Sequence, residues 1–178
     1  MMRFYDVVAQ GRLDAFLTLY QEAFPPIERK ELTQLLASHE AGKLHLLGIA
    51  WESEDLLGLC VLAQNGANIL LDYFAIDPSF QGQQLGSLAL GQLFTMYPGV
   101  NIVAEVEHSQ MSHPDQRIRQ RRKAFYLRNG FSEADFSVTI SGEPFEVLAR
   151  EPIQAKTYLD IYAQVYGKKE LEKLSVSS

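Results

Sequence analysis

Only one cysteine, Cys60, occurs among the 178 residues. No internal disulfide framework can form, and a reducing compartment is the default expectation. Cys60 lies within the apolar run LLGLCVLA with nothing beside it to lower its pKa. It reads as a small buried hydrophobe rather than a nucleophile. No apolar run approaches the roughly 18 residues of a membrane span, and the opening MMRFYDVVAQ lacks the apolar stretch of a signal peptide. A soluble, cytoplasmic chain with no membrane partner is expected. Basic residues are in the minority, 16 Lys and Arg against 22 Asp and Glu, for a net charge of −6. That balance disfavours nucleic acid and other polyanions. His108 and His113 flank SQMS without a third ligand at metal-like spacing, so no metal is expected. Neither a Walker lysine nor a dinucleotide Gly-x-Gly-x-x-Gly is present, which argues against other nucleotide-binding α/β proteins.

What is there suits one compact domain over residues 1–178. Hydrophobic residues make up 47% of the chain and charged residues 21%, enough to bury a core and solvate a surface. No repeat or linker divides the sequence. Residues 2–9 read as a strand, and Leu13, Phe16, Leu17, Tyr20 and Phe24 have the spacing of an amphipathic helix stopped by Pro25-Pro26. A second helix carries Leu32, Leu35 and Leu36 and ends near Gly42. Three strand-like runs follow, KLHLLGIAWE, LLGLCVLAQ and NILLDYFAI, with turns at Glu54-Asp55 and Asn65-Gly66 that predict antiparallel pairing. A helix over 84–97, the strand NIVAEVEH, a helix closed by Asn129-Gly130, two strands around Gly142-Glu143 and a helix burying Tyr158, Ile161, Tyr162 and Val165 complete the order. Residues 168–178 are expected to fray. The fold class is mixed α/β, a mostly antiparallel sheet of about seven strands flanked by helices. One strand–helix–strand unit, over 68–107, implies a parallel pair with a right-handed crossover.

The informative stretch is LLDYFAIDPSFQGQQLGSLALGQLF, Leu70 to Phe94. A strand ends at Asp77-Pro78, a glycine- and glutamine-rich turn follows, and a helix begins. Unpaired backbone amides and the positive end of the dipole make such a helix start suitable for phosphate. Alone, two glycines at a helix start also fit ordinary turn punctuation. The segment resembles the acyl-CoA-binding motif of the GNAT superfamily of N-acetyltransferases, Gln/Arg-x-x-Gly-x-Gly/Ala. Gln81 matches the first position and Gly86 the last, while the middle glycine is Gln84 here. RRKAFYLRNGF resembles the family's later Tyr-x-x-x-Gly-Phe element through Tyr126, Gly130 and Phe131.

The resemblance implies the GNAT acyl-CoA N-acyltransferase fold over nearly the whole chain. It also implies coenzyme A or acetyl-CoA as cosubstrate. Amides of Gln81, Gly82, Gln83, Gln84, Leu85, Gly86 and Ser87 would receive the pyrophosphate. The backbone of the central strand at Phe74, Ala75 and Ile76 would pair with the pantetheine arm, with the amide near Phe74 or Ala75 as oxyanion donor. A ligand-competent Gln84 is expected to keep ordinary helical φ with its side chain outward.

Acetyl transfer to an amine needs a group to take the amine's proton and one to protonate the departing thiolate. The resemblance implies Tyr126 as the acid, and the alternative is that it packs its helix onto the sheet beside Phe125. Strand alternation puts Val103, Glu105 and Glu107 on one face, and either carboxylate could be the base or simply be solvated. Asp72, among apolar neighbours, is a third candidate, its alternative role a structural bond to a backbone amide. The acceptor is expected to be a primary amine on a small molecule or peptide, chosen by residues 12–42 and a mobile loop at 108–116. The basic run Arg117 to Arg128 is expected to form mainly a solvated helix face. A homodimer through the C-terminal strands fits the sequence. A catalytically silent CoA-binding sensor is the competing function.

Overall fold

The computed structural model describes residues 1–52 and 55–178. The expected Glu54-Asp55 turn therefore lies partly outside the described residues. Among the described residues eight strands and six helices are found, in a mixed α/β arrangement as expected. The chain groups into two compact units, residues 1–63 with 71–98, and residues 64–70 with 99–178.

The first unit contains β1 (Arg3–Asp6), α1 (Leu13–Ala23), α2 (Leu32–Glu40), β2 (Leu44–Ala50) and most of β3 (Leu56–Asn65) and β4 (Asn68–Ile76). A single 3-10 turn (Pro78–Phe80) and α3 (Leu85–Met96) complete it. Strand order is β1-β2-β3-β4, with β1–β2 and β2–β3 antiparallel as the turns predict. Leu57 to Ala63 are all buried, without the alternation of a half-solvated strand, so both faces of β3 are covered. α1 buries Phe16, Leu19 and Tyr20 and ends before Phe24, whose extended backbone (φ −127°, ψ 131°) is what a residue preceding proline requires. At Gly58 a side chain would strike the Ala75 carbonyl of β4, so glycine there lets β3 and the end of β4 approach closely.

The second unit contains the tip of the β3–β4 hairpin, β5 (Asn101–Glu107), α4 (Gln116–Arg128), β6 (Ser132–Ile140), β7 (Glu143–Ala149), α5 (Ala155–Val165), α6 (Lys168–Leu171) and β8 (Leu174–Ser177). Its strands run β5-β7-β6-β8 and pair antiparallel. The β6–β7 turn falls at Ser141-Gly142, one residue earlier than read from the sequence, with φ of 49° and 86°. Two positive φ angles are the signature of the tight hairpin turn whose twist matches the strands. α5 buries Tyr158, Ile161, Tyr162 and Val165, as its spacing predicts.

The C-terminal segment corrects the expectation of fraying. Residues 168–171 form α6, and β8 pairs with β6 in register from Leu174 opposite Ile140 to Ser177 opposite Ser137. The Ser141 amide adds a bond to the Lys173 carbonyl (2.9 Å). The edge of β6 supplies unpaired amides and carbonyls, and pairing with them needs no strong sequence signal in the incoming strand. Only Leu174 and Val176 turn partly inward, too weak a pattern to have been read.

Candidate functional site

In the first unit the end of β4 leaves the core. Ile69 to Leu71 and Tyr73 are buried, whereas Phe74, Ala75 and Ile76 are half-exposed. Asp77 then starts the 3-10 turn, its Oδ1 accepting from the Ser79 amide (2.8 Å), with Pro78 at the first position. The Asp77 amide still reaches the Leu57 carbonyl (2.7 Å), which anchors the bend to β3. Gln81 closes the bend from the other side, its Nε2 donating to the Ile76 carbonyl (3.1 Å). Gln81 to Gln84 are all exposed.

The backbone at Gln84 differs from the expectation of helical φ. It is left-handed (φ 59°, ψ 17°) and forms the N-cap of α3, and Gly82 two residues earlier also has positive φ (82°). A left-handed residue followed directly by right-handed ones turns successive amides toward one side, the concavity that suits an anion. The Gln84 carbonyl accepts the first helical bond, from Leu88 (3.2 Å). Helix α3 thus presents the positive end of its dipole at this turn. The Gln84 side chain makes no capping hydrogen bond, and no acidic residue sits in the first turn of α3. The motif's middle position therefore keeps a glycine-like conformation while carrying a side chain. Gln84→Gly is expected to raise Tm by about 2–4 °C, relief of the left-handed strain outweighing glycine's extra chain entropy. Gln84→Val should lower it, because a β-branched residue tolerates that region poorly. Differential scanning fluorimetry of both variants checks the pair.

Asp72 sits on β4 with its side chain 4% exposed, and its Oδ2 takes an ion pair from Lys30 Nζ (2.9 Å), itself 12% exposed. The sequence offers Asp72 as a candidate base or a structural bond to an amide, and does not name this cation. Lys30 belongs to the segment between α1 and α2, which is tied down by two tyrosines. The Lys30 amide donates to both Tyr20 Oη (2.9 Å) and Tyr73 Oη (3.0 Å), and Tyr73 Oη donates to the Glu28 carbonyl (2.6 Å). Tyr73 packs edge-on against Tyr20 and Phe24, each at 4.9 Å between centroids. Burial, reinforced by Tyr73, pushes the Tyr20 phenol far above its usual range. Beside these anchors Ile27 is 87% exposed. The sequence marked 12–42 as a specificity region but gave no sign of this lysine–aspartate lock, because 42 residues separate the partners.

In the second unit Glu105 accepts hydrogen bonds on Oε2 from the hydroxyls of both Tyr158 and Tyr162, the latter at 2.6 Å. Its strand neighbour Glu107 instead pairs with Arg119 Nε (3.3 Å) and Arg122 Nη1 (3.1 Å) of α4. The arginine-rich helix is thus not wholly a solvated face. Lys123, four residues past Arg119 and so on the same side, is buried between Glu133 and Glu146, the Glu146 distance being 3.1 Å. Burial lowers the Lys123 pKa, but the two carboxylates outweigh it and the net is upward. Sequence reading missed Lys123, although its spacing from Tyr126 already put both on one helical stripe.

Tyr126 is 7% exposed and packs edge-on against Phe125 (5.3 Å) and Phe131 (5.2 Å). The Tyr-x-x-x-Gly-Phe element proves to be a helix ending. Gly130 is left-handed (φ 90°), its amide donates to the Leu127 carbonyl (3.3 Å), and the Phe131 amide donates to the Tyr126 carbonyl (3.2 Å). This is the Schellman closure, with the aromatic contact that usually accompanies it. The loop after β5, expected to be mobile, is pinned at its start. Buried Ser109 donates to Glu146 Oε2 (3.1 Å), and the His108 amide reaches the Pro144 carbonyl (3.1 Å). His108 and His113 accept amide bonds on Nδ1 from Gln110 (3.3 Å) and Asp115 (3.0 Å) within that loop.

Cys60 is fully buried, and desolvation pushes its thiol far above the usual range, as a buried hydrophobe requires. Among the described residues no group of three metal-ligating side chains could hold an ion, and no helix is long and apolar enough to cross a membrane.

Residues 13–131 match a family model described as the acetyltransferase (GNAT) family. No curated relative matches the chain. Among solved structures, a protein described as a GNAT-family acetyltransferase from Bacteroides thetaiotaomicron superposes with a TM-score of 0.76 at 20% identity, covering 94% of this chain and 99% of its own. The ribosomal-protein-S18-alanine N-acetyltransferase of Escherichia coli gives 0.62 at 20% identity, covering 87% and 96%. An aminoglycoside 6′-N-acetyltransferase solved with coenzyme A gives 0.64 at 14% identity, covering 86% and 99%. At these identities the likeness establishes the fold.

Proposed function

This chain belongs to the GNAT acetyltransferase family, and we propose that it moves an acetyl group from acetyl-CoA directly to a primary amine of a small molecule or peptide. The observation that carries the reading is the acid-free start of α3, where Gln84 takes a left-handed backbone at the motif's middle glycine position. These features fit a diphosphate, whose charge would complement the positive end of the helix dipole at this left-handed turn. The amides from Gln81 to Ser87 would hold the diphosphate, and the backbone at Phe74, Ala75 and Ile76 would pair with the pantetheine arm. Acetyl-CoA supplies the acyl group as a thioester.

The chain's own residues would manage the protons. An amine attacks only when neutral, so its ammonium of pKa about 10 must first lose a proton. Glu105 is the best of the three candidate carboxylates for that work. Asp72 and Glu107 form ion pairs, with Lys30 and with Arg119 and Arg122, and Glu105 accepts hydrogen bonds from two neutral phenols. Tyr126 would donate a proton toward the departing sulfur, a phenol of pKa about 10 being close to a thiol's 8.5. The amide at Phe74 or Ala75 would face the developing oxyanion.

The test combines calorimetric titration with acetyl-CoA and a thiol-release assay across primary amines, including aminoglycosides and peptides with free N-termini. The expected result is binding together with thiol release for at least one acceptor. Binding with no release on any acceptor would favour the silent sensor, and no binding would remove the phosphate reading altogether.

A further inference from the structure

Tyr158 and Tyr162 lie one helical turn apart on α5, so their side chains share a face and point the same way. Tyr158 is fully buried and Tyr162 nearly so, with ring centroids 5.7 Å apart. Burying two phenols is unfavourable unless their hydroxyls are satisfied, and both donate to one oxygen, Oε2 of Glu105. Packing alone would be served by phenylalanine at either place. The convergence of two donors on one carboxylate oxygen instead selects a charge state and an orientation.

We propose that Tyr158 and Tyr162 are positioning residues, holding Glu105 ionised and fixed in direction so that it can accept a proton at neutral pH. This rests on the acetyltransferase reading for its use but not for its physics. Burial opposes a carboxylate's charge, and hydrogen bonds donated to the charged form favour it. Each hydroxyl counters desolvation, and each constrains rotation of the carboxylate. Neither tyrosine needs to touch an acceptor.

Other ionisable groups are carried by the elements around Glu105. On β5, Glu107 lies two residues along and is bonded to Arg119 and Arg122 of α4. On β7, Val147 stands across from Glu105, and Glu146 beside it is bonded to Lys123 and Ser109. On α5, Lys156 and Asp160 pair with one another (2.9 Å). None of these contacts includes Glu105 Oε2, where the two hydroxyls meet.

The experiment measures the Glu105 carboxyl by carbon-13 NMR titration in the ligand-free protein, for wild type, Tyr158→Phe, Tyr162→Phe and the double variant. Glu105→Gln assigns the resonance. Each hydroxyl removed is expected to raise the Glu105 pKa by about one unit. An unchanged pKa in the variants overturns the proposal. Should Tyr158→Phe fail to fold, Tyr162→Phe decides alone, because its hydroxyl reaches the same oxygen. The pH dependence of kcat/KM is then compared. The acid limb should move upward with the NMR value, costing about tenfold per hydroxyl at pH below the limb and nothing on the plateau above it. A shifted carboxyl pKa with an unmoved acid limb would retain the electrostatic coupling but overturn Glu105 as the proton acceptor.

Discussion

Replacing Tyr126 by phenylalanine is expected to lower kcat by about two to four orders of magnitude while leaving the affinity for acetyl-CoA unchanged. The substitution removes one oxygen and keeps the ring, so the edge-on contacts with Phe125 and Phe131 persist. The closure at Gly130 draws on the backbone carbonyls of Tyr126 and Leu127 and survives too. Thermal stability should therefore change little, and the loss should appear in turnover. Steady-state kinetics with calorimetric titration of acetyl-CoA separates the two. The distinction matters because Tyr126 has a sufficient structural role already. A tyrosine that ends a helix and packs on the residue closing it needs no chemistry to explain its presence. An unchanged kcat would mean that the hydroxyl is incidental and that another group protonates the sulfur.

Lys30→Met should destabilise the protein by about 3–5 kcal/mol, because it leaves the Asp72 carboxylate buried without its cation. At this chain length that corresponds to a fall in Tm of roughly 10 °C. The double variant Lys30→Met, Asp72→Leu should recover most of the loss, since exchanging both charges for apolar side chains removes the desolvation penalty with the attraction. Chemical denaturation of the single and double variants gives the coupling directly. The same pair decides Asp72's place in the reaction. If the double variant, once stable, turns over as the wild type does, Asp72 is structural. If stability returns and turnover does not, Asp72 rather than Glu105 is the proton acceptor. The segment between the first two helices would loosen with Lys30, so KM for the amine should be the more sensitive parameter.

Much of this architecture was legible because it rests on local rules. Prolines after Phe24 end α1, and the spacing of Tyr158, Ile161, Tyr162 and Val165 named the buried face of α5. Asn65-Gly66 marked the β3–β4 hairpin, and Gly142 lay near the β6–β7 turn. What stayed hidden was long-range. Lys30 and Asp72 are 42 residues apart, and Glu105 and its tyrosines more than 50, with no periodicity to link them. β8 escaped notice because its stability comes from the β6 edge rather than from its own residues. At Gln84 the rule that a side chain implies ordinary helical φ failed. A chain can hold one residue against its preference where a capped turn before it and a helix after it fix both ends.

The burial of Cys60 has a practical consequence. With the only sulfhydryl of the chain wholly enclosed and its ionisation suppressed, the native protein should be silent toward chromogenic disulfide reagents. Background in such a readout would then come from the reagents alone. One equivalent of colour appearing only after guanidinium is added would report the concentration of the folded stock, an internal standard built into the β3 strand.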